Sequence, residues 1–142
     1  MRFFPVFVLL LAGCGIPRDP DQTLNHIRTG KVMRVGAIAR GDQPTAAETA
    51  FVRRIAEKLG ARVELQTGDT EGLLEALKAD ELDLVVGPLS QKSPWTAEVA
   101  LIKPLTEKGD TPPLPFSAAA PAGENAWMSL LEAEARDLRS GA

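Results

Sequence analysis

Between Lys31 and Val86 the chain alternates strand and helix signals without interruption, and this order restricts its 142 residues to few architectures. Lys31 to Ile38 reads as a strand, carrying Val32, Met33, Val35 and Ile38 among small residues after a turn at Gly30. Thr45 opens a helix, and Glu48 three positions later completes a capping box in which each side chain satisfies an amide of the other's turn. Phe51, Val52, Ile55, Ala56 and Leu59 then recur at helical spacing, and Gly60 stops the helix. Val63 and Leu65 alternate with Arg62, Glu64 and Gln66, as in a strand with one wetter face. A second helix from about Thr70 carries Leu73, Leu74 and Leu77 inward and ends near Asp80. Leu82 to Val86, broken only by Asp83, suits a strand buried on both faces. Two helices inserted between three strands predict a parallel sheet.

The remainder continues the alternation with one break. Ser93-Pro94 is an N-cap followed by proline at the first helical position, where a missing amide hydrogen is harmless. The short helix it starts runs through Glu98 into a strand at Val99 to Ile102. Thr106 to Pro115, with Gly109 and three prolines, reads as a loop. Phe116 to Ala120 makes a last strand, and Asn125 caps a helix carrying Trp127, Leu130, Leu131 and Leu138. The expected fold class is α/β: a single three-layer lobe, its mostly parallel sheet of about five strands covered by helices on both faces.

Ahead of this lobe, an apolar run from Phe3 to Ala12 follows one cation, Arg2, and ends in small residues, the layout of a secretory signal. It is shorter than the roughly 20 apolar residues that a spanning helix needs. Leu11-Ala12-Gly13-Cys14 resembles the lipobox of bacterial lipoproteins, which implies cleavage after residue 13 and a lipid on Cys14, the only cysteine. An ordinary signal peptide or a buried thiol is the plainer alternative. A lone cysteine in any case forbids an internal disulfide. Gly15 is not the aspartate that the resemblance associates with inner-membrane retention, which favours the outer membrane over the inner for an exported, lipid-anchored chain. Residues 14–30 are expected to be anchor, tether and lead-in, with prolines and charges from Ile16 to Gln22, and residues 31–142 the lobe.

The formal charge of -3, which becomes -4 when Arg2 leaves with the signal, offers no basic field to a nucleic acid. Catalytic and cofactor patterns are missing as well: there is no G-x-S-x-G elbow, phosphate-binding glycine loop, HExxH or paired-cysteine metal site. The single histidine, His26, lies in the lead-in and is expected at the surface. No cofactor, no metal and no enzymatic activity are expected.

Several phrases in fixed order resemble the first lobe of bacterial extracellular solute-binding proteins of the polar amino-acid type, the substrate-binding components of ABC transporters. They are the strand ending near Gly36, Ile55-Ala56-Glu57-Lys58-Leu59-Gly60, Leu74-Glu75-Ala76-Leu77, Leu82-Asp83-Leu84-Val85-Val86-Gly87, the strand into Lys103-Pro104-Leu105, and Ala120 to Trp127. The resemblance implies a lobe of periplasmic-binding-protein type, a small solute, and a transporter permease as partner. It also implies a second lobe inserted after the strand near Ile102, but residues 106–115 offer only about ten positions, the size of an ordinary loop. Family members grip the ligand carboxylate with an arginine shortly after the third strand, where a guanidinium fork bonds bidentately. Trp95 or Thr96 falls there instead.

Three residues are candidate ligand contacts. Ser90 falls where the resemblance puts a ligand-binding hydroxyl, although serine after a strand is also a routine turn former. Arg40 is a replacement anion contact, against the usual solvated arginine. Trp95 is a stacking surface at the carboxyl edge of the sheet, where open parallel sheets place ligands, or else packs across its short helix. Together with Gly87 to Ser93 and Ala39 to Gln43 they make a shallow half-site for a solute or a partner protein. A second copy or a separate second-lobe protein would complete it. The other reading is a structural or regulatory interaction lipoprotein that has lost ligand binding. An enzyme related to solute-binding-like dehydratases or cell-wall lyases has no general acid or base to support it.

Overall fold

The first strand, β1 (Val32–Ile38), pairs in parallel on both sides, and the sheet is built outward from it. A computed structural model describes residues 19–41, 43–106 and 115–141. Around β1 stand α1 (Thr23–Gly30), α2 (Ala46–Leu59), β2 (Arg62–Gly68), α3 (Thr70–Lys78) and β3 (Leu84–Gly87). A 3-10 turn (Pro94–Ala97), β4 (Val99–Leu101), β5 (Leu105–Thr106), β6 (Pro115–Pro121) and α4 (Asn125–Ser140) follow. The strand order is β2-β1-β3-β6-β4, with β5 also on β6. Only β6 runs against the others, so the expected mostly parallel sheet is present.

Side chains sort onto two faces with the period of two that a strand imposes. Met33, Val35, Ala37, Leu84, Val86, Ala118 and Ala120 join the larger apolar cluster with Ile27 of α1, Phe51 and Ile55 of α2, and Trp127 and Leu131 of α4. Phe51 and Phe116 meet edge to face at 6.1 Å. Ile38, Val85, Val99 and Ala119 face the other way, onto Leu73, Leu74 and Leu77 of α3. Helices thus cover both faces, as the alternation predicted.

Capping follows the sequence at α2, where Thr45 Oγ1 accepts from the Glu48 amide, Glu48 returns a bond to the Thr45 amide, and Gly60 closes the helix in a left-handed conformation. Asp69 caps α3 through the Gly72 amide. Asn125, expected to cap the last helix, is instead its first helical residue, and the N-cap position is Glu124, which makes no capping bond. The bond comes from far away in sequence: Asp19 Oδ1 accepts from the Ala126 amide at 2.7 Å.

The expected lead-in at 14–30 also needs correction. Thr23 to Gly30 form α1, with Ile27 buried against β1 and α4, so this stretch belongs to the lobe; His26 lies exposed on it. Glu124, itself buried, stitches the entry to this helix in place, its two carboxylate oxygens accepting from the amides of Asp21 (2.7 Å) and Thr23 (2.8 Å). The expected half-buried strand at Val63 and Leu65 is an edge strand, and these residues remain 37% and 47% exposed. The expected signal at 1–13, the expected lipid site at Cys14 and most of the expected loop at 106–115 lie outside the described residues.

Helices α2 and α4 are locked by a buried carboxylate. Glu134 accepts from Arg54 Nε at 2.7 Å and from Lys58 Nζ, while Arg54 Nη2 reaches Asp137 at 3.4 Å. Burial alone raises the Glu134 pKa, but the hydrogen bonds and charges of Lys58 and Arg54 outweigh it and hold the carboxyl below its ordinary value. A depressed folded-state pKa gives stability that is fully present above the unfolded value, about 4.3 for glutamate, and is lost as pH falls through the lower folded value. Thermal melts from pH 7 down to pH 3 should therefore show a steeper acid limb for the native chain than for Glu134→Gln; equal slopes would contradict this assignment.

Candidate functional site

Ile38 and Gly87 end adjacent strands so close together that a Cβ at residue 87 would lie 2.6 Å from the Ile38 Cβ. Glycine is required there by this approach. The loops that leave β1 and β3 therefore start side by side at the carboxyl edge of the sheet. Helices α2 and α3 also begin at this edge, because each follows a parallel strand and runs back beside it. Their amino termini are capped from within the chain, by Thr45 and Glu48 at α2 and by Asp69 at α3.

Arg40 stands at this edge just past β1. Its Nη2 donates to Glu48 Oε1 at 2.5 Å, and the Glu48 side chain is 1% exposed. Glu48 Oε2 meanwhile accepts from the Thr45 amide at 2.8 Å. One buried carboxylate thus completes the cap of α2 and fixes a guanidinium at the mouth of the sheet. The capping pattern accounts for Glu48 only in part: its hold on Arg40, eight positions earlier, depends on the fold of the intervening loop.

Ser90 shares this edge and is exposed. Its Oγ accepts from the Lys92 amide at 3.1 Å, and its carbonyl accepts from the Ser93 amide at 3.0 Å, so it also shapes the turn. Trp95 is elsewhere. Since β4 runs parallel to β3, the chain must descend to the amino edge before β4 begins, and Trp95 lies on that descent. Its ring packs with the α3 cluster, under Lys78 Nζ at 5.4 Å, near the end of α3. Lys78 is held by Glu98, whose hydrogen bond raises the lysine pKa. The expectation that Trp95 stacks on a ligand at the carboxyl edge is corrected by this placement: Arg40 and Ser90 share the edge, and Trp95 does not.

The edge combines a fixed guanidinium, paired with Glu48, and an exposed hydroxyl, a set able to receive a polar group. Among the described residues no three His, Cys, Asp or Glu side chains gather as metal ligands.

No family model matches the chain. Over 91 residues, 58% of its length, it is 34% identical to the membrane-bound lytic murein transglycosylase F of Vibrio cholerae, in two strains. The chain spans 17% of the length of these curated relatives. Among solved structures, the arginine-bound form of a point mutant of domain 1 of the T. maritima ArgBP aligns with a TM-score of 0.69 at 15% identity, covering 82% of this chain and 98% of that one. An ancestral amino acid-binding protein, a precursor of cyclohexadienyl dehydratase, gives 0.68 at 13% identity, covering 83% and 93%. The substrate binding protein of an amino acid ABC transporter gives 0.62 at 11%, covering 78% and 94%. The fold is that of one lobe of an amino-acid solute-binding protein, and these structural neighbours are mainly binding proteins.

Replacing Glu48 with alanine removes the reciprocal half of a capping box and strands Arg40. Chemical denaturation should show a loss of about 1 kcal/mol or more. An unchanged midpoint would show that neither bond stabilises the lobe.

Proposed function

We propose that this chain is an exported, lipid-anchored accessory lobe that binds a small polar solute or a partner protein at the carboxyl edge of its sheet, and that it is not an enzyme. The observation that carries this reading is Arg40, pinned by the buried Glu48 beside the amino termini of α2 and α3. That arrangement presents a polar shelf, its guanidinium fixed and balanced in charge by Glu48. Domain 1 of the T. maritima protein has an arginine-bound form, which supports ligand contact by a lobe of this fold.

A shelf covers one side of a ligand, whereas good pockets bury roughly 70–90% of its surface. Affinity is therefore weak unless a second-lobe protein or a transporter permease supplies the other wall. The reading of an interaction lipoprotein that no longer binds solute is favoured by one specific observation: Trp95 or Thr96 replaces the arginine that the resemblance places after the third strand, and Trp95 is engaged with Lys78.

Export and anchoring rest on Phe3 to Cys14, and the membrane-bound description of the transglycosylase relative agrees with them. Gly15 favours the outer membrane. Labelling of cells with a palmitate analogue should mark the native chain and not Cys14→Ala; equal labelling would remove the anchor from this proposal.

Thermal melts against amino acids, organic acids and sugars separate the two binding readings. A solute present at 100 times its dissociation constant should add about 2.7 kcal/mol of stability, and Arg40→Ala should abolish the shift. Silence across the series would sink solute binding in favour of the interaction role.

A further inference from the structure

The edge strand β2 carries an apolar face that its own chain leaves open. Its seven residues pair with β1 along one side, and among the described residues nothing pairs along the other. Register places Val63 opposite Met33 and Leu65 opposite Val35, so both point to the α2 side of the sheet, yet they remain 37% and 47% exposed. A groove of about 380 Å³ runs there between α2 and β2, floored and walled by Val52, Ala56, Ala61, Val63 and Leu65. An open strand edge beside exposed apolar side chains is a template for a further strand.

The charges say which strand fits. On the opposite face of β2, Arg62 Nη1 meets Glu64 Oε1 at 2.7 Å, both well exposed. A guarding edge carries like charges that repel a second copy, but this one alternates in sign. In a two-fold antiparallel pairing, residues directly opposite share a face, so the axis passes through a single residue of the strand. Centred on Glu64, two glutamates would face each other. Centred on Leu65, Arg62 would face a glycine and Glu64 a glutamine. Centred on Val63, Arg62 faces the partner's Glu64 and Glu64 faces the partner's Arg62, which gathers the four charges into one alternating cluster.

The helix side repeats the pattern. Arg53 and Glu57, each 71% exposed and 3.8 Å apart, stand on the rim of the groove.

We propose that β2 is a self-association edge: a second copy of this chain adds antiparallel, with Val63 on the two-fold axis, so that Arg62, Val63 and Glu64 of the two strands pair and join the two sheets. The proposal is independent of solute binding at the carboxyl edge.

The test uses the chain carrying Cys14→Ser, in mild detergent so that the apolar run at Phe3 to Ala12 stays dispersed. Paired with Val63→Cys, mild oxidation should give an intermolecular disulfide, since directly opposite residues lie about 4.5–5.5 Å apart between Cα atoms, within disulfide reach. Leu65→Cys should not, because two copies of that position would be roughly 14 Å apart. In sedimentation, Arg62→Glu should weaken association roughly tenfold, and Arg62→Glu combined with Glu64→Arg should restore it. A chain that stays monomeric, cross-links preferentially through Leu65→Cys, or associates regardless of these charges would overturn the proposal.

Discussion

The buried carboxylate of Asp83 is the tie on which the lobe depends. It is 2% exposed and accepts from the Arg34 amide at 2.7 Å, from Nε at 3.2 Å and from Nη2 at 2.6 Å. Its own carbonyl accepts from Trp127 Nε1 at 2.8 Å. One residue at the entry to β3 thereby joins β1 and the closing helix α4. A buried charge without its partner is strongly destabilising, so this contact fixes how β1 and β3 sit before their far ends form the carboxyl edge. The geometry of the shelf at Arg40 is set from the opposite side of the sheet.

Local chemistry made much of this lobe legible. The Thr45 and Glu48 pair, the stop at Gly60 and the inward spacing of Phe51, Ile55 and Leu59 each report on contacts within a few positions, and all are present in α2. Trp127 is fully buried, as its place on an apolar helical face indicated. What escaped was non-local. Helix α1 has Leu24 and Ile27 as its main apolar residues and no side-chain cap, and it persists because Glu124, about a hundred positions away, holds its entry. The cap of α4 by Asp19 is equally remote, and the nearer Asn125 carries a capping side chain by type alone.

The site shows the same division. Arg40 and Ser90 follow the ends of parallel strands, and topology alone brings them to one edge. Trp95 follows β3 as Ser90 does, but β4 must start at the amino edge, and the chain has already turned away by residue 95. The alternation of Val63 and Leu65 is a correct signal for a strand. It carries no information about whether a neighbour covers that strand, which depends on where β2 falls in the sheet order.

The stitching of residues 19–23 onto Glu124 and the Ala126 amide limits how freely an anchored lobe could turn. Because β6 runs against β1, Pro121 and the start of α4 lie at the amino edge, and Asp19 is bonded there. Five peptide steps separate Cys14 from Asp19, a fully extended reach of roughly 18 Å. An acyl chain on Cys14 would thus keep the lobe within a short stand-off of the lipid surface, amino edge down, with the Arg40 shelf turned outward to whatever approaches from the far side.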